Sequence, residues 1–178
     1  KAQEATRDYV LKLDHPEGRA PLLSIFGGKI TTYRRLSEHA MEKIQPFFPQ
    51  MGKPWTHDAA LPGGNFGHDE VEQRIAALAR SYPFLDDATL RRLFHAYGTE
   101  VEQVLGDARS EADLGQSFGP ISEREIDWLR EHEWARNADD VLWRRSKLGL
   151  HTTKQQQEAL RTYMASANAV QNLKRVGG

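Results

Sequence analysis

Alternating apolar and polar positions open the chain. Residues 8–14 alternate in this way, and a turn-forming segment, residues 15–18, follows them. A second apolar stretch then runs from Pro21 to Phe26. Two such stretches joined by a turn predict an antiparallel β-hairpin within residues 8–26. Because a lone two-stranded ribbon is only marginally stable in water, we expect it to rest on another element.

The next pattern is helical. From about Thr32 to Phe47, apolar side chains recur at helical spacing, which predicts a helix with one face available to cover the hairpin. These side chains are Leu36, Ala40, Ile44 and Phe47. Prolines and a glycine between positions 46 and 54 then end the helix and open a linker, which we place at residues 51–67.

Beyond the linker the pattern predicts helices without further strands. Helical stripes begin near Asp69, Ala88, Thr99, Ser122, Asn137 and Thr153. Three of them start with the spacing of a capping box, at residues 99–102, 122–125 and 153–156. The predicted fold class is therefore α+β, mostly α. A small β-hairpin plus helix in residues 1–50 is followed, after the linker, by a compact multi-helix C-terminal domain in residues 68–178.

Composition excludes several classes of function. The 178 residues carry a formal net charge of −1, which gives no global basic field for binding nucleic acid. The chain has no cysteine, which excludes disulfides and thiolate metal sites. His132-Glu133 lacks the second histidine of a zinc motif, so we expect no metal. No apolar run is long enough to span a membrane, and a soluble intracellular protein is the default expectation.

The junction between the second strand and the first helix carries the strongest functional signal. Gly27 and Gly28 break the strand, and Lys29, Arg34 and Arg35 crowd the start of the helix. Positive charge at that end opposes the helix dipole and costs a few tenths of a kcal/mol per residue, unless an anion docks nearby. The pattern therefore predicts an anion or polar cofactor at this corner. The alternative is a tight strand-to-helix turn with no ligand.

Two common phosphate-binding motifs do not fit the junction. A P-loop requires a glycine where Leu23 stands and a serine or threonine where Ile30 stands. A dinucleotide fingerprint requires the spacing G-x-G-x-x-G, which residues 27–32 do not supply.

The junction does resemble the G-G-K-x-T-T-Y-R segment of FAD-dependent glycerol-3-phosphate dehydrogenases, through residues 27–34. Further segments are similar to the bacterial aerobic enzymes of that family, and together they cover almost the whole chain. They are residues 6–9, 36–40, 61–64, 82–85, 97–98, 113–115 and 139–145. The resemblance implies that this chain is the C-terminal part of a longer enzyme, with residues 1–50 as the last piece of its FAD-dependent oxidoreductase domain.

The resemblance also implies an activity for the longer enzyme. It would oxidise sn-glycerol 3-phosphate to dihydroxyacetone phosphate, with hydride passing to FAD and electrons then passing to quinone. It would be cytoplasmic and peripheral on the inner face of the cytoplasmic membrane. The main FAD-binding domain and the general base are expected outside this chain. We therefore expect no catalytic residue here, and an isolated fragment that is inactive.

Site residues follow from the same resemblance. Gly27, Gly28, Lys29, Ile30, Thr31 and Thr32 are expected to face the flavin, where a fixed positive field favours its reduced form. Lys29 is expected to meet either the flavin edge or the substrate phosphate. Arg7 is a second candidate for the phosphate, with an ordinary surface cation as the alternative. Tyr33, Arg34 and Arg35 are expected to be structural.

The helical domain allows more than one interpretation. One hypothesis is a rigid cap that packs on the flavin domain. The alternative is a helical interaction module for dimerisation or membrane docking, and nucleic-acid binding is disfavoured by the charge. Three tryptophans, Trp128, Trp134 and Trp143, are expected in the core. The acidic residues of the stretch 123–131 are expected to form a solvated face, and Arg144 to Lys147 to pair with Asp139 and Asp140.

Overall fold

The computed structural model describes the backbone of residues 8–176 and the side chains of residues 8–166. One β-hairpin is followed by helices, which confirms the α+β, mostly α class. The chain divides into two compact units, Lys1–Ala60 (unit 1) and Leu61–Gly178 (unit 2). The division falls within the segment whose prolines and glycines indicate a linker.

Unit 1 begins with the hairpin. Strand β1 (Val10–Asp14) pairs antiparallel with β2 (Leu22–Phe26), in a register that places Val10 opposite Phe26 and Asp14 opposite Leu22. The connection turns at Pro16, whose carbonyl accepts the N–H of Arg19 at 3.1 Å. The predicted hairpin is thus confirmed.

Helix α1 (Tyr33–Ile44) follows, with a 3-10 turn at each end, Ile30–Thr32 and Gln45–Phe47. The predicted apolar face is half-buried throughout. Two contacts tie this stretch to the β1 side of the hairpin. The Tyr9 hydroxyl lies 2.5 Å from Nδ1 of His39, and the His15 ring meets the Phe47 ring edge-on with centroids 4.7 Å apart. The helix therefore covers part of the hairpin, as its pattern predicts.

Unit 1 nevertheless closes no core among its described residues. No side chain between residues 8 and 60 is buried. Large apolar side chains are exposed on both strands, on α1 and on the segment after it: Val10, Leu22, Ile25, Phe26, Ile30, Tyr33, Met41, Phe48 and Trp55. Cross-strand partners share a face of a sheet, so Val10 with Phe26 and Leu11 with Ile25 place apolar groups on both faces of the hairpin.

Unit 2 consists of helices around one core. The α-helices are α2 (Val71–Ser81), α3 (Asp87–Tyr97), α4 (Val101–Leu105), α5 (Glu123–His132) and α6 (Lys154–Val176). Every buried apolar side chain of the described residues belongs to this unit. The largest fully buried ones are Leu90, Val101, Val104, Leu105, Phe118, Ile121, Ile126, Leu129, Val141, Leu142, Leu160 and Met164.

Two predicted capping sites lie where expected. Ser122 begins α5 and its hydroxyl accepts the N–H of Glu125 at 3.4 Å. Thr153 and Gln156 form both halves of a capping box before α6, with distances of 3.2 and 2.8 Å. The side-chain oxygens thus satisfy amides that the first helical turn leaves without a partner.

The predicted capping box at residues 99–102 is wrong. Helix α3 ends at Gly98, which has a φ of +55°, and the N–H of Thr99 donates to the carbonyl of Gly63 at 2.9 Å. Glu100 precedes α4 at the capping position, but its side chain makes no capping hydrogen bond. A Cβ on Gly63 would overlap the Tyr97 carbonyl, and a Cβ on Gly98 would overlap the Gly63 carbonyl. Close backbone packing, rather than capping, determines this turn.

The helix predicted to begin near Asn137 also differs in detail from the structure. The chain forms a π-helical segment, Asp140–Arg145, and then a separate 3-10 turn, Leu148–His151. The Ser146 hydroxyl donates to the Val141 carbonyl at 2.7 Å, which ends the segment.

The prediction that all three tryptophans lie in the core is wrong for two of them. Trp134 is 72% exposed and has a φ of +55°, because it occupies the left-handed position that ends α5. Trp143 is partly exposed and lies over Gly149. Trp128 is half-buried and stacks on His132, with ring centroids 3.7 Å apart.

The solvated face expected for the acidic residues of α5 is wrong for Glu125. This carboxylate is only 3% exposed and accepts two hydrogen bonds from the Arg92 guanidinium, at 2.7 and 2.9 Å. The Tyr97 hydroxyl donates a third at 2.8 Å. The buried charge is therefore compensated by partners on α3, which ties α3 to α5.

Candidate functional site

The backbone of the corner between β2 and α1 requires its two glycines. Gly27 and Gly28 have φ values of +75° and +106°, which side chains rarely adopt. A Cβ on Gly27 would lie 3.1 Å from the Asp8 carbonyl oxygen, and one on Gly28 would lie 3.4 Å from Leu36. The glycines therefore let the chain turn sharply against β1 and α1.

Thr32 holds the turn that follows. Its hydroxyl donates to the Lys29 carbonyl at 2.9 Å and accepts the Lys29 N–H at 3.2 Å. The N–H of Thr32 donates to the same carbonyl at 2.9 Å. The Thr32 side chain is thus committed within the turn, and it positions Lys29 at the corner.

The corner is open to solvent. Residues 27–31 are exposed and Thr32 is half-buried, with Ile30 reaching 89% exposure. The amide groups of Ile30 and Thr31 lead the helical turn, where helix geometry supplies no acceptor from within the helix. Exposed donors at the positive end of a helix dipole suit an anion.

The corner cations have different surroundings. Nη1 of Arg34 pairs with Glu38 at 3.2 Å, and the Glu38 carboxylate also accepts the Thr56 hydroxyl. The hydrogen bond from Thr56 and the charge of Arg34 lower the pKa of Glu38. Arg34 is therefore used inside unit 1. Glu38 and Thr56 are not among the predicted site residues, although the spacing of four between residues 34 and 38 is a recognisable ion-pair signal.

Within the part of the chain whose side chains are described, residues 8–166, no carboxylate forms an ion pair with Lys29 or with Arg35. The structure thus brings Gly27 to Thr32 together at one exposed corner, with a Lys29 that has no ion-pair partner among those residues. Arg7, the other candidate for a phosphate contact, lies outside the described residues.

Metal sites and membrane-spanning helices are both absent from the described residues. No group of histidine, aspartate and glutamate side chains there could hold a metal ion. No helix there is both long and apolar enough to cross a membrane.

Most of the chain matches one known protein family. A family model described as the C-terminal domain of alpha-glycerophosphate oxidase matches residues 54–174. Because this match covers more than half of the chain, the chain belongs to that family.

Individual relatives extend the match into unit 1. The chain is 44% identical over 163 residues to an aerobic glycerol-3-phosphate dehydrogenase of Escherichia coli, covering 91% of this chain and 32% of that protein. It is 48% identical over 162 residues to a glycerol-3-phosphate dehydrogenase of Pseudomonas aeruginosa, covering 90% and 31%. It is 41% identical over 166 residues to a D-erythritol 1-phosphate dehydrogenase of Brucella abortus, covering 93% and 33%. The chain thus spans about a third of the length of these relatives.

Proposed function

We propose that this chain is the C-terminal part of an FAD-dependent dehydrogenase that oxidises sn-glycerol 3-phosphate and passes electrons to quinone. The single observation that carries the proposal is the exposed corner Gly27–Thr32, which combines two positive-φ glycines with a Lys29 that has no ion-pair partner among residues 8–166. The identity to glycerol-3-phosphate dehydrogenases over about nine tenths of the chain supports it.

The residues of the corner fit a flavin. Bound FAD would supply the hydride acceptor for the reaction. Gly27 and Gly28 carry no side chains of their own, so a planar ligand can approach their backbone. The leading amides of Ile30 and Thr31, with Lys29, would hold a positive field where negative charge develops on reduction. Thr32 would keep Lys29 in place through the hydrogen bonds of the turn.

The substrate class would be a small polyol phosphate. The substrate phosphate would bind the ammonium group of Lys29, and Arg7 stays a second candidate for the same contact. Glycerol 3-phosphate is favoured by the two relatives of highest identity, and the erythritol-phosphate relative makes D-erythritol 1-phosphate the second candidate substrate. We place the general base outside this chain.

The helical unit would act as a rigid cap, with its core already closed. Unit 2 buries its own apolar side chains, whereas unit 1 leaves many exposed, which fits a hairpin and helix that complete a larger FAD domain. The alternative, an interaction module for dimerisation or membrane docking, calls for an apolar patch on one helix face. Among residues 61–166, whose side chains are described, the exposed large apolar side chains lie instead on several segments: Leu61, Trp134, Trp143 and Leu150.

The same proposal includes a location. An enzyme that reduces quinone has to reach a membrane-dissolved acceptor, so the whole protein would be peripheral on the inner face of the cytoplasmic membrane.

Replacing Lys29 by methionine in the full-length enzyme tests the role of the corner. Loss of a charge-assisted contact to phosphate is worth about 1.5–3 kcal/mol, so KM for glycerol 3-phosphate should rise about tenfold or more. The matched control is Lys43→Met, because Lys43 is also exposed but lies in the last turn of α1. The control should leave KM within about twofold.

Two outcomes would contradict the proposal. One is an unchanged KM and an unchanged flavin reduction potential in Lys29→Met. The other is a preference of the wild-type enzyme for D-erythritol 1-phosphate over glycerol 3-phosphate, which would replace the substrate but keep the class.

A second experiment concerns this chain by itself. Mixed with FAD and followed by flavin absorbance and fluorescence, it should bind weakly or not at all and should show no dehydrogenase activity. Tight stoichiometric binding would contradict the proposal that the main FAD-binding domain lies outside this chain.

A further inference from the structure

A cavity of about 500 Å³ lies in unit 2, beside α3 and the segment that follows the π-helical turn. Its charged and titratable lining comes mainly from Arg92, His95, Glu125, Arg145, Lys147 and His151. Tyr97 and Glu133, at the ends of α3 and α5, complete the set. We refer to this cavity as the basic pocket. It shares no residue with the corner Gly27–Thr32.

Part of the charge in the basic pocket is already neutralised. The Arg92 guanidinium uses both terminal nitrogens on the Glu125 carboxylate, at 2.7 and 2.9 Å. This buried pair contributes little net field to the cavity, because its two charges lie in direct contact.

Two other cations keep their charge. Nε of Arg145 donates to the Glu133 carbonyl at 2.8 Å, and Nζ of Lys147 donates to the Trp143 carbonyl at 2.5 Å. Over residues 8–166, neither forms an ion pair with a carboxylate. Backbone carbonyls thus fix the position of both side chains without removing their positive charge, and the terminal nitrogens of Arg145 are left as donors.

Glu133 compensates these cations only in part. It is half-buried, and burial raises the pKa of its carboxyl, with Arg145 acting in the opposite direction. His95 and His151 are exposed at the pocket, whose lining holds three guanidinium or ammonium groups against two carboxylates. The basic pocket therefore holds an excess of positive charge around a volume of small-molecule size.

We propose that the basic pocket binds a small phosphomonoester, held by Arg145 and Lys147. A guanidinium presents parallel donors that match the oxygens of a phosphate, and a nearby ammonium adds a mobile point charge. The volume exceeds that of a bare phosphate and leaves room for a short organic group. This inference does not depend on the activity proposed for the longer enzyme, since every residue it uses belongs to unit 2.

Nuclear magnetic resonance titration of the 178-residue chain with inorganic phosphate tests the proposal, at a protein concentration where light scattering detects no aggregate and at ionic strength held constant with sodium chloride. We expect saturable shifts of the Arg145 Nε–H and of the amides of Ser146, Lys147 and Leu148. Glycerol 3-phosphate should produce the same shifts, and glycerol should produce none.

Variants distinguish a defined phosphate-binding site from general electrostatic attraction. Arg145→Gln and Lys147→Met should each weaken phosphate affinity about tenfold. Arg144→Gln is the matched control, since Arg144 is the neighbouring residue but pairs with Asp140 at 2.8 Å and does not line the cavity. It should change affinity less than about twofold. Thermal melts of each variant establish that it is folded before affinities are compared.

Three results would overturn the proposal. The first is an absence of saturable shifts in the wild-type chain up to about 10 mM phosphate. The second is equal weakening by Arg144→Gln, which would indicate general electrostatic attraction. The third is binding to phosphatidylcholine vesicles containing phosphatidylglycerol without any binding of free phosphate, which would assign this surface to a lipid headgroup layer.

Discussion

Glu125 shows how one residue can change the character of a helix face. It lies on α5 among acidic residues that look like a solvated surface, yet it is buried and bound by Arg92 and Tyr97. These partners precede it by 33 and 28 positions. No local pattern reports such a pairing, because only the packing of α3 against α5 brings the groups together. Burial and the Glu125 charge in turn raise the pKa of Tyr97.

Substituting Glu125→Gln should lower the free energy of unfolding by about 3 kcal/mol. The neutral amide would leave the Arg92 guanidinium largely buried without its counter-charge, and breaking one side of a buried pair costs several kcal/mol. Urea unfolding followed by helical circular dichroism measures the change. Glu131→Gln is the matched control on the same helix, because Glu131 is exposed, and it should stay within about 0.5 kcal/mol of wild type. Equal effects of the two substitutions would contradict the role assigned to Glu125.

At the scale of elements, local chemistry explains some helix ends and tertiary packing explains others. The hairpin, α1 and the box at Thr153 and Gln156 follow from patterns within a few residues. The expected box at residues 99–102 fails because Gly98 and Thr99 pack against Gly63. That contact spans 35 or more positions, which local patterns do not encode.

The candidate corner likewise has features that local sequence predicts and one feature that depends on tertiary packing. Its glycines and its turn could be predicted from the order of residue types, because positive φ values and the Lys29–Thr32 hydrogen bonds are local. The partner of Glu38 on the linker, Thr56, could not, because it comes from a segment without periodicity. Trp134 is a different case: it follows α5 at a position with a φ of +55°, where the helical pattern of α5 no longer predicts which side chains are buried.

We expect the stabilising effect of Asp140, at the start of the π-helical segment, to depend on pH. The Asp140 carboxylate accepts the N–H groups of Arg136 and Asn137 at 2.8 and 3.1 Å, and pairs with Arg144. The hydrogen bond from Arg136 contributes most to lowering the pKa of Asp140 below its ordinary value of 3.8. Because the folded-state pKa lies below the unfolded one, Asp140 stabilises the fold above pH 4 or so. This contribution is lost as pH falls through the folded-state pKa.

Asp140→Asn should therefore destabilise unit 2 by about 1 kcal/mol near neutral pH, and by less in acid. Urea unfolding at pH 7 and at about pH 3 measures both values. Asp139→Asn is the control, because Asp139 meets Arg161 at 3.6 Å on an exposed surface, and it should have little effect at either pH. A penalty for Asp140→Asn that is the same at both pH values would show that the charge is not responsible.

At the scale of the whole chain, the two units differ in what stabilises them. All buried apolar side chains of the described residues fall between Ile75 and Met164, so the main favourable term for folding belongs to unit 2. Unit 1 rests on a two-stranded hairpin and one helix with half-buried contacts. Elements of that kind are marginal without further cover.

Removing residues 1–60 should consequently leave the thermal midpoint of unit 2 within about 4 °C of that of the complete chain. Residues 1–60 alone should show no cooperative transition, because no side chain of their described part, residues 8–60, is buried. Circular dichroism at helix and strand wavelengths, recorded while each fragment is heated, shows whether that fragment melts cooperatively. Loss of cooperative melting in residues 61–178 would show that unit 2 depends on the hairpin for stability.

The exposed hairpin has a practical consequence for work with this chain. A ribbon with apolar groups on both faces and an open edge on each strand is a template for pairing with a second copy. Produced by itself, the chain should aggregate as its concentration rises, even while the helical unit stays native. Its solubility will be set by residues 10–26, and charged substitutions at Phe26 or Leu22 will improve yield more than any stabilisation of the helices.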